Sequence, residues 1–120
     1  MDARTSLPKK PDVTPEQFFA LDLRAGRVVS VERFPEARKP SYKITVDFGS
    51  AVGERTTSAQ TTHYSENELL GRMVVAAINL GTKKIAGFRS EFLILGALDP
   101  DGRVRLLRCE EGTLPGAPIA

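Results

Sequence analysis

Apolar and polar residues alternate without a break from Tyr42 through Lys43, Ile44, Thr45, Val46 and Asp47 to Phe48. A period of two sends successive side chains to opposite faces, so residues 42–48 predict a strand with one face in a core and one in water. Upstream, Val28, Val29 and Val31 sit among Arg24, Arg27 and Arg33, which predicts a long strand over residues 23–34, with Gly26 marking a bulge or sharp bend. Residues 73–78 are apolar on both parities, as in a strand covered on both sides, and residues 92–95 supply its expected partner. Residues 55–62, RTTSAQTT, combine β propensity with little to bury; they either offer hydroxyls and an amide to a ligand or form a polar sheet edge. A final strand is expected over residues 104–109, after Asp99-Pro100-Asp101-Gly102, whose residue types suit a type I turn. The tail, residues 110–120, reads as loop.

Two short helices punctuate the strands. Thr14 with Gln17 three residues on, and Ser65 with Glu68, each have the spacing of a capping box; Pro15 fits the first helical position and Gly71 ends the second helix. In the second, Leu69 and Leu70 are expected to face inward. The first is too short to be stable alone, so its Phe18, Phe19 and Leu21 are expected to dock on the barrel or on another subunit. Five or six strands with a short helix between the third and fourth is the order of an OB-fold, an all-β, partly open Greek-key barrel.

Residues 79–91, NLGTKKIAGFRSE, bring two glycines and three cations between two apolar runs. They predict a basic surface loop held at both ends, either a binding element or a solvated connection. A second basic loop, between Pro35 and Pro40, carries Arg38 and Lys39.

The composition, 41% hydrophobic and 27% charged, is that of an ordinary globular domain, and no apolar run approaches the roughly 20 residues of a membrane span. No membrane insertion is expected. Residues 1–13 lack the apolar core of a secretory signal and predict a disordered leader on a cytoplasmic protein, with residues 14–120 forming one domain. The net charge of +2 is too small to establish a nucleic-acid partner, although eleven of the seventeen cations are arginine, the residue suited to phosphate forks. Cys109, the only cysteine, forms neither a disulfide framework nor a metal set within one chain, and reads as a small buried hydrophobe. His63 is likewise alone and is expected to be solvated or capping. There is no HExxH, P-loop or GxGxxG pattern and no nucleophile beside a base, so neither an enzyme nor a metal or cofactor is expected.

The runs ARKPSYK (37–43), DFG (47–49), SAQT (58–61), VAAIN (75–79) and KIAGFRSE (84–91), in this order, resemble the CsaA family. These are small dimeric export-associated chaperones built on the tRNA-binding OB domain, and the likeness covers about residues 16–118. It implies a homodimer, joined in part by the N-terminal helix and C-terminal segments, with a surface for unfolded preproteins. The same domain on certain aminoacyl-tRNA synthetases binds tRNA without sequence specificity.

Two sets of site residues follow. For tRNA or other RNA, Arg38, Lys39, Lys83, Lys84 and Arg89 would contact phosphate, and Gln60, Asn79 and Ser90 would hydrogen-bond. The absence of Trp, and Phe88 as the one aromatic in the basic stretch, weigh against a row of stacking platforms; Tyr42 and Phe48 are assigned to the core. For peptide, Phe34, Ile85 and Phe88 would supply apolar surface bordered by the same cations, or else cap the barrel end. The function expected is that of a non-enzymatic chaperone for exported precursors, with RNA binding as the alternative.

Overall fold

A single long strand, β1 (Leu23–Arg33), organises the chain by serving different partners along its length. Residues 27–33 pair antiparallel with β2 (Tyr42–Asp47), while residues 23–27 pair with β4 (Met73–Ala77). With β3 (Glu54–Ala59) and β7 (Leu93–Ile94) the order is β3-β2-β1-β4-β7. The computed structural model describes residues 7–120. Residues 1–6 of the expected leader lie outside the described residues, and residues 7–14 carry neither helix nor strand.

The sheet curls until its ends meet. The backbone N–H of Glu91 donates to Thr56 O at 2.8 Å, and the buried Thr57 Oγ1 donates to Phe92 O at 2.7 Å. The result is a nearly closed five-stranded antiparallel barrel, the OB fold expected from the strand order. The alternation of residues 42–48 is kept: Tyr42, Ile44, Val46 and Phe48 are buried, and with Val28, Leu69, Val74 and Phe92 they form the core. Phe48 and Phe92 meet edge to face with centroids 5.0 Å apart, a favoured aromatic geometry.

Gly26 does not mark the bulge. The register of β1 and β2 slips between Val28 and Ser30, whereas Gly26 sits where a Cβ would strike Val46 and the Phe48 ring. Its role is close approach across the barrel, the other reason for a glycine inside a strand.

Both capping boxes are formed. Thr14 caps α1 (Pro15–Phe19) and Ser65 caps α2 (Glu66–Leu69), each side chain accepting from the third residue's N–H while that residue's side chain accepts from the cap N–H. The bond from the Ser65 N–H holds the Glu68 carboxyl below the usual carboxylate range. In α2 only Leu69 turns inward; Leu70 stays exposed, since so short a helix has one buried position. α1 buries none of its residues, and Phe18, Phe19 and Leu21 remain exposed, so the first of the two docking surfaces expected for it, its own barrel, is not used.

The C-terminal part is more ordered than a loop. β8 (Gly96–Leu98) and β9 (Val104–Leu106) form a hairpin across the 99–102 turn, so the last strand is shorter than residues 104–109 and pairs outside the main sheet. Residues 116–119 then add to β1: Gly116 N–H donates to Ala25 O at 2.7 Å, Ala25 N–H to Ala117 O at 2.9 Å, and Ile119 N–H to Leu23 O at 2.8 Å. Gly116, at φ 89°, lies where a Cβ would collide with Phe48 O.

Candidate functional site: a cleft beside a basic hairpin

Residues 79–91 fold into a hairpin instead of the loop their composition suggests. β5 (Lys83–Ile85) pairs with β6 (Phe88–Ser90) across Ala86 and Gly87, whose φ values of 48° and 80° belong to a two-residue turn of the primed kind. Strand alternation then divides its side chains. Lys84 and Arg89 are cross-strand partners, both exposed, on one face. Ile85 and Phe88 are partners on the other face and half-buried. Ser90, with Lys83 opposite, shares that second face and meets Thr57 Oγ1 at 2.8 Å. The hairpin is fixed to β3, because Thr56 Oγ1 lies 3.0 Å from both Arg89 O and Glu91 Oε1 and shares its one proton between them.

Phe34 is 3% exposed, so of its two readings, peptide surface or cap of the barrel end, the packed one fits, just past the end of β1. It packs edge-on against Phe88 at 5.5 Å, and Lys43 Nζ lies 4.9 Å and 5.1 Å from the two ring centroids. This cation-capped pair pins the hairpin to the barrel. Asn79 is also occupied: its Nδ2 donates to Ala20 O at 2.9 Å, and its Oδ1 accepts from the Asp22 N–H at 2.7 Å. An amide so engaged ties the segment after α1 to the end of β4.

Between the hairpin, the 35–40 loop and β3 opens a cleft of about 850 Å³. Arg38 and Lys39 stand on one rim with Gln60, and Ile85 reaches in from the hairpin. Leu93, Ile94, Val104 and Leu106 make an apolar wall, and Ser58, Ala59 and Thr61 line the β3 side. Four of the expected site residues, Arg38, Lys39, Gln60 and Ile85, are thus brought to one cleft. Lys84 and Arg89 face away on the outer side of the hairpin, and Phe34 and Asn79 serve the fold. None of Arg38, Lys39, Lys83, Lys84 and Arg89 is paired with a carboxylate among the described residues, and all five are exposed. Their charges are available to a ligand.

The β7 and β9 wall has no signal in the sequence, whereas Thr61 lies in the 55–62 segment expected to offer hydroxyls to a ligand or to form a sheet edge. Thr61 Oγ1 is buried without a hydrogen-bond partner among the described residues, which marks the bottom of the cleft as polar on one side. At the cleft's end His63 Nε2 lies 3.0 Å from Val104 O and Tyr64 OH accepts from the Leu106 N–H, so these neighbours hold β9 in place. Among the described residues no group of His, Cys, Asp and Glu is arranged to hold a metal, and no helix is long and apolar enough to cross a membrane.

An OB barrel with its cleft between the first loop, the third strand and a basic hairpin belongs to the class of OB-fold binding modules. The family model of the putative tRNA binding domain matches residues 23–118. Among solved structures, the CsaA chaperone of Picrophilus torridus superposes with a TM-score of 0.85 at 41% identity, covering 91% of this chain and 100% of that one. The CsaA chaperone of Bacillus anthracis strain Ames gives 0.85 at 39% identity, covering 92% and 100%. The chain belongs to the CsaA family of tRNA-binding OB domains. Methionine–tRNA ligase of Porphyromonas gingivalis is 35% identical over 118 residues, which is 98% of this chain but 17% of the ligase.

Proposed function

We propose that this chain is a non-enzymatic, cytoplasmic chaperone that holds unfolded, export-bound precursors as a homodimer, with the cleft as the receiving surface. The observation that carries this reading is the pairing of an apolar wall, Leu93, Ile94, Val104 and Leu106, with an unpaired cationic rim, Arg38 and Lys39. An unfolded segment presents apolar side chains and intermittent carboxylates, and this surface offers a match for both. The homodimer is supported by α1, whose Phe18, Phe19 and Leu21 are exposed at 42%, 62% and 41%. A second subunit would cover them.

One observation favours tRNA binding as a second reading: Lys84 and Arg89 form an exposed cationic pair on the hairpin face turned from the cleft. Phosphate contacts need exposed, unpaired cations and no pocket. The two readings use different faces, so a competition experiment separates them. Labelled tRNA bound to the purified protein at about physiological salt is challenged with an unfolded, signal-bearing polypeptide. The expected result is polypeptide binding with little displacement of tRNA. Failure of the polypeptide to bind, with tRNA held tightly, would replace the chaperone reading by the RNA one.

A further inference from the structure

We propose that the cleft receives its polypeptide by strand addition, the main chain of an extended segment pairing with the outer edge of β3 at Ser58 and, just past the end of the strand, at Gln60. The inference rests on the chaperone reading above and supplies its mode of binding.

β3 is an edge strand, paired with β2 on one side only. In an antiparallel ladder the N–H and C=O of alternate residues point to opposite edges. Thr56 shows the outward parity, because its C=O accepts from the Glu91 N–H at 2.8 Å and its N–H donates to Glu91 Oε1 at 3.1 Å. Two and four residues on, Ser58 and Gln60 repeat that parity, but the covering segment has left. After Phe92 the chain turns to β4, where Leu93 and Ile94 pair with Ala77 and Ala76. Among the described residues no backbone hydrogen bond reaches the N–H of Ser58 or Gln60, and the one polar neighbour of Ser58 O is Thr57 Oγ1 at 3.4 Å, whose proton goes to Phe92 O at 2.7 Å.

The barrel is therefore open over the stretch where its third strand lines the cleft. An unpaired edge is a template for another strand, and here it faces an apolar wall across a cleft instead of bulk water. A strand laid along it would turn alternate side chains to Leu93, Ile94, Val104 and Leu106 and the rest to solvent. Arg38 and Lys39 at the rim match a carboxylate on the incoming segment. The occupant is an extended polypeptide with alternating apolar side chains and an acidic residue near one end. Main-chain pairing supplies affinity without reading sequence, which suits a protein with many clients.

The test uses the full chain and a short fluorescent peptide of alternating valine and threonine with one aspartate near its end. Two further versions carry N-methyl groups on alternate amides, one for each parity. Strand addition requires one parity to lose binding by about tenfold, through the removal of two or more hydrogen bonds, and the other to lose far less. In parallel, Ser58→Pro places a ring at the open edge without removing a bond to β2, a position where edge strands tolerate proline. It should melt as the parent does and lose peptide binding by a similar factor; if it fails to fold, the methylated pair decides alone. Equal losses for both parities overturn strand addition and leave the chaperone reading standing, as does capture of an unfolded precursor without binding of the peptide. If neither precursor nor peptide binds, the chaperone reading itself fails. Loss of tRNA binding in Ser58→Pro with peptide binding intact would assign the edge to RNA and overturn the proposal.

Discussion

Replacing Phe48 with Ala should destabilise the fold by about 3–5 kcal/mol, the range for removing a fully buried aromatic. Phe48 is 0% exposed and meets Phe92 at 5.0 Å, Gly26 beneath its ring, and Gly116 against its carbonyl. The ring's neighbours Gly26 and Phe92 belong to β1 and to the segment that closes the barrel, and Phe48 itself follows β2, so one cavity loosens three pieces at once. A domain of this size has only about 5–15 kcal/mol in total. Chemical denaturation read by far-UV circular dichroism checks it. A loss under about 1 kcal/mol would mean that β1 and the closing segment do not share this core.

A second large effect is expected from neutralising the hairpin, Lys83→Ala with Lys84→Ala and Arg89→Ala. All three side chains are exposed and unpaired among the described residues, so the melting temperature should hardly move. If tRNA is held through phosphate by the hairpin, with Lys84 and Arg89 on its outer face and Lys83 on the other, affinity should fall by about tenfold or more. The plot of log affinity against log salt should flatten by about 0.7–0.9 for each phosphate that is no longer neutralised. Fluorescence titrations at several salt concentrations give both numbers. A weaker affinity with an unchanged slope would mean that the hairpin supports the RNA surface without touching phosphate.

How much of this is legible in the sequence differs by the range of the interaction responsible. The two capping boxes and the strand through Ile44 and Val46 are local patterns, and they are readable as such. The β5–β6 hairpin is masked because its turn is Ala86-Gly87, without the Asn-Gly or Asp-Gly that announces a primed turn. Gly26 misleads because a glycine inside a strand has two uses, and only the position of Phe48 across the barrel chooses between them. Asn79 carries the right chemistry for a ligand group, yet its partners Ala20 and Asp22 are 59 and 57 residues away in the chain. The site follows the same rule. Arg38, Lys39, Gln60 and Ile85 stand out by type and position in loops, whereas Leu93, Ile94, Val104 and Leu106 look like strand residues of a core. They become a cleft wall only because β7 leaves the edge of β3.

Whether the cleft holds unfolded polypeptide can be read from the backbone amide resonances of the full chain as an unfolded precursor fragment is added. Shifts are expected to concentrate at residues 37–41, 58–61, 93–94 and 104–106, with Ile85 moving and its neighbours Lys84 and Arg89 nearly still. Shifts confined to α1 or to the outer face of the hairpin, with residues 58–61 unmoved, would refute a receiving cleft.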